Sequence, residues 1–361
     1  MAEDSDDLLS FVSAMGGEKA LRVEENLGEG FVRLRVSEAE RRQAKHDIRC
    51  VEDAVIELLR NARDAGATHI YVATSREGNI RTTVVLDDGC GIPEDMHERI
   101  FEARVTSKLE SVHVDHWGVH GRGMALFSIR ENAESAEVVS SAPGLGSSIR
   151  VVTNADTLPE RTDQSTWPQI GSDDDGQQNC VRGPHNIIRA CCEFALEERG
   201  SCEVYLGSPA EIVATARDRV RPTVDASELL FMDSLDSLPV LERLQAASDA
   251  AELASVSASL GLEMSERTAH RIVAGQIRPQ RSVIAKLTHA KSDNSSGSSV
   301  DLTRDQRSLR LSDADVGEFS RAMERDFSVL AQRYYLSLTS EPTIRVKGHR
   351  LVVTFDFEES D

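Results

Sequence analysis

Between residues 57 and 148 the chain changes its hydrophobic period several times, and a glycine cluster stands at most of the changes. Ile48, Val51, Val55, Leu58, Leu59 and Ala62 recur at helical spacing, and Gly66 closes that run. THIYVATSREGNIRTTVVLDDG (68–89) then reads as two β-branched strands about a Glu77-Gly78-Asn79 turn. GIPEDMHERIFEARVTSKL (91–109) has Pro93 at a helix entrance with acids in its first turn, and predicts a helix. MALFSIRENA (124–133) predicts another helix, and SAEVVSS (135–141) and SSIRVVTN (147–154) a second pair of strands. The order helix, hairpin, helix, helix, hairpin predicts an α+β fold. Helices would cover one face of a mixed, mostly antiparallel sheet.

Upstream, LGEGFVRLRVS (27–37) alternates as a strand does, and 37–67 is strongly helical. Ser37 with Glu40 fits a capping box, and two helices with a bend near Asp47 fit as well as one. Aromatic residues are only 4%, so the cores must rest on Leu, Val, Ile and Ala. The formal net charge of −20 excludes a general polyanion binder; contact with nucleic acid would need a local basic face. The acidic N-terminus lacks a signal-peptide pattern, and no run of about 18 apolar residues exists, so a cytoplasmic protein with no membrane partner is expected. Six cysteines without a CxxC pair read as reduced thiols. The competing reading is a metal cluster of Cys180, His185, Cys191, Cys192 and Cys202, against which the adjacent Cys191 and Cys192 point in different directions on a helix.

Three polar residues of the first helix carry chemistry. Glu57, Asn61 and Asp64 are four and three residues apart and so share one face. An amide oxygen can complete an octahedral magnesium shell, and a carboxylate one turn away can act on an attacking water. Alone, such a pair is common on exposed helices. LDDGCGIP (86–93) lets the backbone approach a ligand closely, although a plain strand-to-helix turn capped by Asp87 fits equally. GVHGRG (118–123) can offer backbone N–H groups to phosphates at a helix start. It is neither a Walker loop, since no Lys-Ser or Lys-Thr follows, nor a dinucleotide fingerprint. Arg122 is either a phosphate ligand or a solvated cation.

Taken in this order, with TSK (106–108) and GLGSS (144–148), these pieces resemble the ATP-binding domain of the GHKL superfamily. Type II topoisomerases, ninety-kilodalton heat-shock chaperones, sensor histidine kinases and MutL proteins belong to it. The resemblance implies the GHKL, or Bergerat, α/β sandwich, with ATP and Mg2+ as cofactors. It makes Glu57 the catalytic base and Asn61 the magnesium ligand. Asp87 would accept a hydrogen bond from the adenine amino group, with Gly89 and Gly91 at the base. Asp64, Thr106, Lys108, Gly118, Gly121, Arg122, Gly123 and Met124 complete the nucleotide site, and Ser147 or Ser148 bonds near adenine. Asp88 departs from the commoner Asn. ARDAGA and TSK lean toward MutL and topoisomerases; RIFE (99–102) and APGLGSSIRVV lean toward sensor kinases. His46 resembles a phosphoacceptor box only superficially. It lies eleven residues before Glu57 on the same or an adjoining helix, and reads as a surface or packed histidine.

Residues 251–290 look like a helix-turn-helix. A helix over 252–260 meets a Gly261-Leu262 turn; Ser265 caps a second helix that ends at Gly275, and Pro279 precedes a supporting one. The pattern SERTAHRIVAGQIRP resembles repressor-like recognition helices. Between 252 and 291 six basic residues face three acidic ones, a net +3 in an acidic chain. By that analogy Ser265, Arg267, Thr268 and Arg271 meet DNA; the plain alternative is a packing or dimerisation bundle.

The expected order is a GHKL domain over 1–155, a polar acidic linker over 156–180 and a mixed region of unknown role over 181–250. The helix-turn-helix over 251–291, a linker over 292–300 and a helix-plus-strand tail over 301–361 follow. The leading expectation is a DNA-associated ATPase that dimerises on ATP binding. The alternatives are a non-hydrolysing ATP sensor regulating transcription and a protein kinase acting in trans.

Overall fold

The computed structural model describes residues 23–107, 113–115, 118–120, 123–171, 180–224, 226–229, 231–232, 234–289, 313–347 and 350–359. The chain divides into two compact units, Met1–Arg304 and Asp305–Asp361.

The first unit opens with the strands β1 (Val23–Gly28) and β2 (Phe31–Leu34). Helix α1 (Glu38–Asp47) starts at a complete capping box: Ser37 Oγ accepts from Glu40 N, and the Glu40 carboxylate accepts from Ser37 N. Helix α2 (Val51–Asp64) follows after a break, so the sequence of 37–67 makes two helices. Strands β3 (His69–Glu77) and β4 (Ile80–Asp87) form the predicted hairpin.

The helix expected over 91–109 does not form among the described residues. Two short 3-10 turns, Glu94–Met96 and Arg99–Phe101, lead into β5 (Val105–Thr106). Met96, Ile100, Phe101, Ala103 and Val105 are all buried, a set that no single helical stripe can bury. Val105 and Thr106 instead pair with Arg33 and Val32 of β2, which takes their backbone groups out of any helix. Helix α3 (Ala125–Asn132) and strands β6 (Ser135–Ser141) and β7 (Ser147–Asn154) come next, the strands with the limits read from sequence.

Helix α4 (Ile187–Glu197), strand β8 (Glu203–Gly207) and helix α5 (Pro209–Arg219) continue the chain. The five-stranded sheet has the order β8-β3-β4-β7-β6, with β8 parallel to β3 and every other pair antiparallel. Residues 156–180, expected as a linker, place Leu158 in the core and pair Gln169–Gly171 with Cys180–Arg182.

Both faces of the sheet are covered, where one was expected. On the near face Ile70, Val72, Val85, Ile149, Val151 and Val204 pack against α2 and α4. On the far face Tyr71, Ala73, Val84, Leu86 and Tyr205 pack against α5 and three later helices, α6 (Val240–Ala246), α7 (Ala250–Ser259) and α8 (Glu266–Val273). The physical reason lies in the strands. Residues 70–73 and 84–86 are apolar without alternation, the pattern of a sheet buried on both sides. Helix α9 (Val283–His289) returns to the near-face core through Val283 and Leu287.

In the second unit the helix Asp313–Tyr334 packs on two antiparallel strand pairs, Leu336–Leu338 with Phe357–Glu359 and the hairpin of Thr343–Lys347 with Arg350–Thr354. Phe327 stacks on Phe355 with centroids 4.9 Å apart.

Gly261, between α7 and α8, sits at φ +76°, and a Cβ there would stand 3.2 Å from Val139 Cγ2. Gly261→Ala is therefore expected to cost about 1–2 kcal/mol from the left-handed backbone alone, read as a lower denaturant midpoint at unchanged slope.

Candidate functional site

Helix α2 has two lives. Val51, Ala54, Val55, Leu58, Leu59 and Ala62 bury one stripe in the near-face core. The other stripe, Asp53, Ile56, Glu57, Arg60, Asn61 and Asp64, lines a cavity of about 900 Å³. The opposite walls come from α1, from Val105, Thr106 and 123–126, and from His185, Asn186 and Arg189 at the start of α4. So the structure brings Glu57, Asn61, Asp64, Thr106, Gly123 and Met124 to one space.

Within it Glu57 Oε1 accepts from Arg60 Nη1 at 2.7 Å. Asp64 accepts from Arg63 Nε at 3.0 Å, and Arg63 reaches across to Glu198 at 2.9 Å. The side-chain amide nitrogen of Asn61 is buried with no hydrogen-bond partner among the described residues. A buried amide in that state costs free energy unless something else satisfies it, which points to a ligand in the cavity.

Asp87 does not line that cavity. It anchors a second, buried cluster and is 4% exposed. Its Oδ1 accepts from Gly89 N at 2.8 Å and its Oδ2 from Ser147 Oγ at 2.5 Å. The two glycine loops interlock here. A Cβ on Gly91 would lie 1.9 Å from Ala142 O, and one on Gly146 2.2 Å from Asp87 O, so neither loop tolerates a side chain. Gly144 N also donates to Cys90 O, and Ile92 N to Ser141 Oγ.

Strand alternation turns Ser147 and Ser148 to opposite faces of the sheet. Ser147 faces Asp87, whereas Ser148 faces the far layer, where its Oγ donates to Leu260 O at 2.8 Å. Gly118 lies in the strand Gly118–His120, while Lys108, Gly121 and Arg122 lie outside the described residues. Ser265 Oγ accepts from Thr268 N and meets its hydroxyl at 3.0 Å, so both are engaged in capping α8. Arg267 is exposed and Arg271 half-buried on the same helix.

Asp88 explains its own departure from Asn. Its carboxylate accepts from Thr68 N, Thr68 Oγ1, His69 N and His69 Nδ1, tying the loop to the start of β3. Burial pushes this carboxyl up, but the bonds from His69 and Thr68 outweigh it and hold it at about 2. The bond to Asp88 in turn raises the His69 imidazole above its ordinary value, against a smaller lowering by burial.

Sequence reasoning missed Arg60, Glu52 and Arg104. All three are buried and line the cavity, and Glu52 accepts from Gln164 Nε2 and Arg161 N. Arg60 was findable, since it follows Glu57 by three on the same helix. Arg104 was not, because it is paired to Glu40 through a distant fold contact. His46, read as a surface or packed residue, is exposed and stands on the cavity rim. Cys191 and Cys192 are both buried, and burial pushes the Cys192 thiol up to about 12. Among the described residues no group of three or more His, Cys, Asp or Glu could hold a metal ion. No described helix is long and apolar enough to cross a membrane.

Residues 46–157 match the family described as histidine kinase-, DNA gyrase B-, and HSP90-like ATPase, so this stretch is a GHKL ATP-binding domain. Over 86 residues the chain is 41% identical to the DNA mismatch repair protein MutL of Thermus thermophilus, covering 23% of this chain and 15% of that protein. Over 135 residues it is 27% identical to the nitrogen regulation protein NtrY of Azorhizobium caulinodans, covering 34% and 16%. The chain therefore spans about a sixth of the length of these relatives. A crystal structure of full-length ShkA in complex with AMPPNP overlaps 64% of this chain and 48% of its own at 19% identity, with a TM-score of 0.22.

The pairing of His69 with Asp88 can be read by proton NMR. The His69 ring is expected to titrate above 6.5, and Asp88→Asn to bring it back down. The signs differ between the partners. The raised His69 contributes stability below its unfolded value, lost as pH rises through the folded one; the depressed Asp88 contributes above its unfolded value, lost as pH falls toward 2.

Proposed function

We propose that this chain is a magnesium-dependent ATPase whose nucleotide site is joined to a DNA-facing helical layer. The observation that carries the first half is the polar stripe of α2. It aims Glu57, Asn61 and Asp64 into one cavity and leaves the Asn61 amide nitrogen without a protein partner among the described residues.

In this reading adenine reaches the buried cluster outside the cavity, where Asp87 accepts its exocyclic amino group with the Ser147 hydroxyl beside it. Thr106 and the backbone at 123–124 meet the phosphates at the start of α3. Asn61 would hold magnesium through its amide oxygen, and the ion would neutralise phosphate charge, while the buried amide nitrogen, without a partner among the described residues, would donate to a ligand oxygen. Glu57 takes the proton of the attacking water. ATP would favour a dimer by binding the dimeric state more tightly.

Glu57→Gln is expected to keep ATP binding and lower turnover by about 10²–10⁴-fold, the usual contribution of a general base. Unchanged turnover sinks the base assignment. Incubation with labelled ATP separates the readings: free phosphate means hydrolysis, labelled protein a kinase acting in trans, and neither a sensor.

The DNA reading rests on α8. Ala269 and Ile272 face the core, while Arg267 and His270 are exposed, as are Arg278 and Arg281 beyond its end. Duplex binding should weaken steeply with salt. Arg267→Ala with Arg271→Ala should flatten the log–log slope by about 1 for each arginine that meets a phosphate. A slope unchanged in the double variant assigns the module to packing.

A further inference from the structure

The hydrolysis scheme above gives no part to Arg60, a buried cation of the cavity. The Arg60 side chain is 4% exposed and its Nη1 donates to Glu57 Oε1 at 2.7 Å; the Glu57 side chain is 19% exposed. Both residues line the cavity. They stand three apart on α2, so the helix itself brings them together, and the burial of Arg60 removes most competition from water. A carboxylate on a flexible side chain would otherwise sample several rotamers. With Oε1 anchored to a rigid guanidinium, Glu57 holds one orientation toward the cavity.

We propose that Arg60 is a positioning residue: through its ion pair it orients the Glu57 carboxylate toward the attacking water and makes no contact of its own with the nucleotide. This rests on the reading of Glu57 as the base. Proximity effects set the scale, since a displacement of about 1 Å at a reacting group can cost about 10²-fold in rate.

The test uses the full chain and its ATP turnover, with ATP binding and thermal melting measured on the same preparations. Arg60→Gln should lower kcat by about 10- to 100-fold while KM and ATP affinity stay at wild-type values. Arg60→Lys should recover part of the loss, since it keeps the charge but not the fork. In a Glu57→Gln background, Arg60→Gln should lower kcat no further, because the two residues act as one unit. If Arg60→Gln loses its melting transition, Arg60→Lys takes its place and must show a smaller loss that is likewise confined to kcat.

Three outcomes overturn the proposal. They are weaker ATP binding at unchanged kcat, which makes Arg60 a nucleotide ligand; a loss that adds to that of Glu57→Gln; and no loss at all. If Glu57→Gln itself leaves turnover intact, the base reading falls and this proposal with it. If Glu57→Gln abolishes turnover and Arg60→Gln does not change it, the positioning role alone falls.

Discussion

The pairing of β4 with β7 carries the site. It sets Asp87 opposite Ser147 at the edge where both strands leave the sheet, and that register brings the two glycine loops into contact. A buried carboxylate costs free energy unless it is hydrogen-bonded, and Gly89 N and Ser147 Oγ meet that need. The loop after β6 is also held from behind. Leu145 O accepts from Val240 N, and Arg243 Nη1 donates to Ser140 Oγ. The loop after β6 therefore rests on the far helical layer.

Helix α2 depends on that frame. Its apolar stripe gains about 1.5–3 kcal/mol for each fully buried large side chain, enough to hold the helix in place. The polar stripe can then point into a cavity without being stabilised by its own contacts. This division explains why a buried arginine is tolerated there. Arg60 is removed from water, but its partner lies one turn back on the same rigid element.

Legibility followed the range of the interactions. The capping box at Ser37, the hairpin about Gly78 and the limits of the 135–141 and 147–154 strands depend on neighbours a few residues away, and they were readable. The segment 91–109 was not. Its acids and Pro93 favour a helix start, yet the burial of Met96, Phe101 and Val105 and the pairing of Val105 with β2 outweigh that local preference. The far helical layer left a signal in the unbroken apolar runs at 70–73 and 84–86, which alternation-based reading passed over. In the site, the stripe of Glu57, Asn61 and Asp64 was legible because helical period alone places it. Glu52 and Arg104 became part of it through Gln164 and Glu40, which are distant in sequence or on another element.

The sequence by itself determined the α2 stripe, the glycine loops and the strand pair that closes them, because caps, periods and turns are local. Only the tertiary structure decided that Ser147 and not Ser148 meets Asp87, and that the helices of 240–273 form the second face of the same sheet. A strand's period of two says that neighbours face opposite ways. Which way is inward depends on what packs against each face, and that is fixed by residues more than a hundred positions away.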